Sequence, residues 1–289
     1  MFFTASGTAS NVLAIGALLR SHEAVLCTRL AHLWADECGA PEKQTGCKIV
    51  AVPDDGQGKL PVSAIEEFVA SLPPMVHRAQ PRLVSITQPT EVGTVYTTAE
   101  VAAIAECAHR HGLLLHMDGA RLYNAAASLG VGLRALTRDL GVDVLSLGGS
   151  KNGLINAEAV VLFQPAPALP YVRKQGMQLL SKMRFIAAQF AAMVGTDLWQ
   201  RNAAHANAMA ALLGQQLAAL AGVELVYPVQ ANMCFARLPG PAVAQQLQQH
   251  FACLRTGDTV RLVTAFDTDP ADVARAVALV RRLLLLDQL

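Results

Sequence analysis

The first 163 residues repeat one pattern, short apolar runs alternating with segments of helical spacing, and few layered folds accommodate it. Runs at 24–27, 48–52, 83–87, 113–117, 142–147 and 159–163 read as strands, preceded by a strand stub at 2–4 and a helix over 9–19. Further helices are predicted at 61–71, 99–111 and, more briefly, 123–128. Strands that alternate with helices in this way predict an α/β fold with a mostly parallel sheet. The proline-punctuated segment QPAPALP at 164–170 interrupts the rhythm and predicts a change of domain. Beyond it, 173–220 is rich in Ala, Leu, Met and Gln, a composition that supports two or more helices linking two domains. The tail reads as strands at 223–226, 232–238 and 259–264 with helices at 242–251 and 270–286, a small C-terminal α+β domain. The expected organisation is a large domain with its linking helices over 1–200 and a small domain over 201–289.

A chain of 289 residues, 53% hydrophobic and 16% charged, is long and apolar enough for two cores sharing a cleft, which excludes a disordered or fibrous protein. Lys and Arg number 23 against 22 Asp and Glu, so no concentrated cationic surface is available for nucleic acid, and a small ligand is the better expectation. No apolar stretch has the length to cross a bilayer, and MFFTASGTASN has neither the cationic nor the apolar region of a signal peptide. The six cysteines are dispersed, with no C-x-x-C pair and no histidine at zinc spacing. They read as reduced thiols in a cytoplasmic protein without a metal site.

In open parallel sheets ligands bind at the carboxyl ends of the strands, so the polar residues closing each run are the candidates for chemistry. Ser6-Gly7-Thr8 follows the first strand and opens a helix, where unpaired N–H groups can receive a phosphate; taken alone, the tripeptide is an ordinary helix cap. Asp118 ends the run at 113–117 and is followed by Gly119 and Arg121, so a turn or an Asp118–Arg121 ion pair competes with a functional reading. Lys151, among six lysines, alone follows an apolar strand through a glycine pair, where partial desolvation suits an amine nucleophile. A phosphate-binding helix start, a strand-end carboxylate and a strand-end lysine together form the set that pyridoxal phosphate requires. No G-x-G-x-x-G follows any strand, which excludes a dinucleotide-dependent oxidoreductase.

The motifs SGTASN, AHLWADECGAPE, SITQPTEVGTVYT, HMDGARLYNAAASLG, DVLSLGGSKNG, LLSKMRFIAAQ and VRLVTAFDT run in that order from Ser6 to Asp267. Together they resemble the threonine aldolase and β-eliminating lyase family of fold-type I pyridoxal phosphate enzymes, in its low-specificity threonine or phenylserine aldolase-like branch. The resemblance implies retro-aldol cleavage of a β-hydroxy-α-amino acid to glycine and an aldehyde, by a homodimer or homotetramer. It assigns the Schiff base to Lys151, the pyridine-nitrogen contact to Asp118 and the phosphate loop to Gly7 and Thr8. It also assigns ring stacking to His32, a cofactor or substrate-carboxylate contact to Arg121, and the substrate-carboxylate clamp to Arg261.

The sequence departs from the family at two points. Where other threonine aldolases carry a histidine near the substrate hydroxyl, this chain has Gln88-Pro89-Thr90-Glu91, which leaves the general base open, since neither glutamine nor threonine replaces imidazole. The phosphate loop also arrives at residue 6, whereas the family has an arm of several dozen residues ahead of it. The expectation is therefore that the arm is absent, with a truncated paralogue of weak or no activity as the alternative function. The intact Lys151, Asp118, Arg121 and Arg261 count against that alternative.

Overall fold

The computed structural model describes residues 1–73 and 75–286. In chain order the first part comprises β1 (Phe2–Thr4), α1 (Gly7–Leu18), β2 (Glu23–Thr28), α2 (His32–Ala35), α3 (Ala40–Thr45), β3 (Lys48–Val52), α4 (Val62–Ser71) and β4 (Gln80–Thr87). It continues through α5 (Thr98–Arg110), β5 (Leu114–Gly119), α6 (Leu122–Leu129), β6 (Val144–Gly148) and β7 (Glu158–Leu162) to α7 (Leu169–Gln175) and α8 (Arg184–Val194). The strands form one seven-stranded sheet in the order β1-β7-β6-β5-β4-β2-β3. Its pairs from β6 to β3 are parallel, and only β7 with its two neighbours pairs antiparallel.

The continuous apolar runs follow from a sheet covered on both faces, because successive side chains point opposite ways. Leu26, Val84 and Leu145 enter the core beneath α4, α5 and α6, whereas Val25, Leu83 and Val144 face the other side, towards α1. The helices start where local chemistry satisfies their first N–H groups. Ser6 caps α1 by accepting from the Ala9 N–H at 3.3 Å, and Thr97 and Glu100 form a reciprocal capping box at the start of α5.

The segment at 164–170 does not leave this unit. Ala166 and Leu169 are buried against α1 and the β6–β7 face, and α7 returns the chain across α1. Proline marks a change of direction here and not a change of domain, because the apolar residues between the prolines still find the first core.

The second sheet has the order β10-β11-β9-β8, formed by β8 (Glu224–Leu225), β9 (Met233–Arg237), β10 (Leu254–Thr256) and β11 (Thr259–Val263). It packs with α9 (Leu198–Ala218), α10 (Pro241–His250) and α11 (Pro270–Leu286) around Leu217, Cys234, Val260 and Val280. The strand β10 was not anticipated, since all three of its residues are exposed and no alternation marks it. Its signal is the turn instead: Gly257, at φ +63°, sits between β10 and β11 as a tight hairpin requires.

The ends of β5 and β6 approach so closely that Gly148 has no room for a side chain. A Cβ there would lie 2.7 Å from the Cα of Ala120 and collide with the Ala120 carbonyl. Gly148→Ala is expected to destabilise the chain by about 1–3 kcal/mol through overpacking. Urea titration against Gly132→Ala, where a Cβ meets nothing within 4 Å, checks this; equal midpoints would remove the constraint.

Candidate active site

Strand direction explains why residues far apart in sequence converge. The strand β1 is antiparallel to β7, and β7 is antiparallel to β6, so β1 points the same way as β4, β5 and β6. The carboxyl ends of these four strands share one edge, where Gly7, Thr8, His32, Asp118, Arg121 and Lys151 line a single pocket. Arg261, on β11 of the second sheet, lines an adjoining chamber. It lies near enough that its charge bears on both Arg121 and Lys151.

Asp118 is the penultimate residue of β5 and is buried. Its Oδ1 accepts from the Ala120 N–H at 2.9 Å, which shapes the turn, and its Oδ2 accepts from Asn11 Nδ2 at 2.9 Å. The anticipated alternative, an ion pair with Arg121, is not formed among the described residues. Lys151 stands in a 3-10 turn, Ser150–Asn152, which follows β6 through Gly149. Burial of its surroundings lowers the ammonium pKa, with Arg121 and Arg261 adding to the effect and Asp118 and Glu158 opposing it. A lowered ammonium pKa eases release of the proton that the nucleophilic amine must lose.

Three groups that the sequence reading did not assign complete the site. The Asn11 amide, one turn into α1, donates both to Asp118 and to Glu37 Oε1 at 2.8 Å. The same Glu37 oxygen meets His32 Nδ1 at 2.8 Å and thereby raises the imidazole pKa, against the opposing pull of burial. A chain of contacts therefore runs from Asp118 through Asn11 and Glu37 to His32. Asn11 lies in the motif SGTASN and Glu37 in AHLWADECGAPE, but no role attached to either, and the 26 positions between them carry no local spacing that would pair them. Beneath Asp118, His116 is wholly buried and bonded to Ser85 Oγ at 2.8 Å and Ser146 Oγ at 3.0 Å, joining β4, β5 and β6. Burial lowers its pKa, so it is a neutral cross-tie and not a proton carrier at the pocket.

The pocket's own atoms suit pyridoxal phosphate. The N–H groups of Gly7 and Thr8 open α1, where a helix leaves its first donors without partners and favours an anion. Arg121 keeps a buried Nε without an acceptor. Its pKa is pushed down to about 10 by burial and then by Arg261, the condition of a cation that lacks its anion.

One expectation about the cysteines changes. Cys107 and His111 stand one turn apart on and just beyond α5, and with Glu66 they bring potential metal ligands within 4.8 Å of one another. The spacing carried this signal. Glu66 is already bonded to Arg110 at 2.6 Å, and burial raises the Cys107 thiol pKa, both of which oppose metal binding.

The two sheets and the pocket at their strand ends define a fold-type I pyridoxal phosphate enzyme architecture. The family model for β-eliminating lyases matches residues 1–239. A low specificity L-threonine aldolase from a Pseudomonas species is 41% identical over 286 residues, covering 97% of this chain and 82% of the relative. Another from Pseudomonas aeruginosa is 43% identical over 245 residues, covering 84% and 70% respectively. Among solved structures, a Leishmania major threonine aldolase superposes with a TM-score of 0.90 at 32% identity, covering 98% of this chain and 83% of that one. The chain belongs to the β-eliminating lyase family.

No helix among the described residues is long and apolar enough to cross a membrane.

Proposed function

We propose that the chain cleaves β-hydroxy-α-amino acids of the threonine, allo-threonine or phenylserine type to glycine and an aldehyde, with pyridoxal 5'-phosphate as cofactor. The observation that carries this reading is one pocket lined by a helix start, a buried strand-end carboxylate and a partly desolvated lysine. Relatives named as threonine aldolases, alike over most of the chain, support it. When bound, the cofactor supplies an electron sink for the pair released as Cα–Cβ breaks.

The residues divide the remaining work. Lys151 would hold the cofactor's carbonyl carbon and exchange it with the substrate amine. Asp118, held in place by the Asn11 amide and the Ala120 N–H, would hold a proton on the pyridine nitrogen. Gly7 and Thr8 would receive the phosphate, and His32, steadied by Glu37, would lie over the ring. Arg121 and Arg261 would bind the substrate carboxylate, whose charge relieves their mutual repulsion. An inactive paralogue that only keeps the fold is disfavoured, because these groups line one pocket and its adjoining chamber.

A homodimer or homotetramer is supported by large exposed apolar side chains, Trp34, Tyr171, Met177 and Phe185 among them. A cytoplasmic setting is supported by six free cysteines. The reaction is tested with the cofactor-loaded chain and phenylserine or threonine. Equal amounts of glycine and benzaldehyde or acetaldehyde are expected; a loaded chain that releases no aldehyde from any such substrate would overturn the assignment.

A further inference from the structure

Of the four residues after β4 that stand where a histidine was looked for, two are used within their own loop. Gln88 is fully buried, donating from Nε2 to the Tyr96 carbonyl at 2.8 Å and accepting from the Tyr96 N–H at 3.0 Å. The Thr90 hydroxyl meets that of Thr94 at 2.6 Å. Glu91 is different. Its Oε1 accepts from the Thr87 hydroxyl at 2.7 Å and from the His32 N–H at 2.9 Å, and both donors fix the carboxyl in place. Its Oε2 makes no hydrogen bond among the described residues and is not sealed from solvent.

Position gives that free oxygen its meaning. Among the described residues Glu91 alone lines both the Lys151 pocket and the adjoining chamber. The chamber, about 460 Å³, has walls that include the apolar Leu30, Val92, Val226, Tyr227 and Phe235, and Arg261 lines it too. A substrate whose Cα lies at the Lys151 end and whose side chain occupies the chamber carries its β-hydroxyl at the junction between them. The two histidines nearest the pocket are engaged elsewhere, His32 with Glu37 and His116 between two serines.

We propose that Glu91 takes the proton from the substrate's β-hydroxyl and that the apolar chamber receives the departing aldehyde's side chain. This rests on the retro-aldol reading above. The O–H bond breaks and its proton passes to Glu91, the carbon–oxygen bond becomes a carbonyl, and the Cα–Cβ pair withdraws onto Cα. A proton then reaches Cα while Glu91 loses the one it took, so the sum is β-hydroxy amino acid to aldehyde plus glycine.

The charges around Glu91 bear on when it is a base. Burial first, and then the Asp118 charge, push its pKa up to about 7, against the bonds from Thr87 and His32. Of the other acidic groups, Asp36 lines the same chamber, and Cys27 and Tyr96 are buried with raised pKa values. Arg121, Arg261 and Lys151 are the basic side chains around the same two cavities, with the His32 imidazole beside them. A carboxyl in this setting is deprotonated above about pH 7, so the base form grows as the solution passes through neutrality.

The test compares Glu91→Gln and Glu91→Asp with the parent, each loaded with cofactor. Loss of a positioned base is expected to lower kcat for phenylserine cleavage by about 10²–10⁴-fold in the Gln variant, with partial recovery in Asp. Exchange of glycine's α-proton with solvent, which involves no hydroxyl, should change far less. In the cofactor-free chain, infrared titration should show a carboxyl that ionises near neutrality and is missing from Glu91→Gln. Undiminished cleavage in Glu91→Gln, equal loss of cleavage and exchange, or no such carboxyl would each overturn the proposal. A parent chain that exchanges glycine's proton but cleaves nothing would overturn the functional reading, and this one with it.

Discussion

Alanine in place of Lys151 is expected to leave a folded chain whose retro-aldol turnover falls by about 10⁴-fold, the upper end of what a lost proton-transfer group costs, because the nucleophile disappears as well. Folding should survive, since the side chain is exposed to the pocket and belongs to none of the apolar cores. Borohydride reduction of the loaded parent, followed by peptide mapping, should find the cofactor fixed to Lys151, and the alanine variant should carry none. An adduct on Lys174 or Lys182 in the parent would mean that the strand-end lysine has been given the wrong role.

The second large effect is expected from Asp118→Asn, which keeps size and shape but removes the charge. An amide oxygen can still accept from Asn11 or from the Ala120 N–H, so the turn and the clamp have a route to persist. An amide cannot hold a proton on a ring nitrogen through ionic contact, and the electron sink weakens. Turnover should fall by about 10²–10⁴-fold while the cofactor's dissociation constant moves much less, the pattern of an interaction needed chiefly in the transition state. Unchanged kcat would reduce Asp118 to a turn residue.

Legibility in the sequence followed the range of the interactions involved. Strands covered on both faces write themselves as apolar runs, so the first sheet could be read almost element by element, and so could the strand ends holding Asp118 and Lys151. The placement of Ser6-Gly7-Thr8 beside them was harder, because it depends on β1 pairing with β7, a partner more than 150 positions away. Asn11, Glu37 and Asp118 meet only after the sheet has formed, across 26 and 107 positions, and no local spacing encodes that. Glu91 stood in plain view in the motif, yet what sets it apart from Gln88 and Thr90 is a free oxygen and a raised pKa, both products of packing.

The helix α9 has a consequence for how the chain comes apart. Its 21 residues run without a break between the two sheets, placing Ala203 in the first core and Leu213 and Leu217 in the second. Residue 200 lies in its first turn, so a division of the chain there passes through a rod that both cores share. Melting either core strips a wall from the other and leaves part of the helix without packing, and isolated helical segments are only marginally stable in water. The two sheets thus share one wall, and loosening the small sheet, which carries Arg261, also unpacks a rod that the large one rests on.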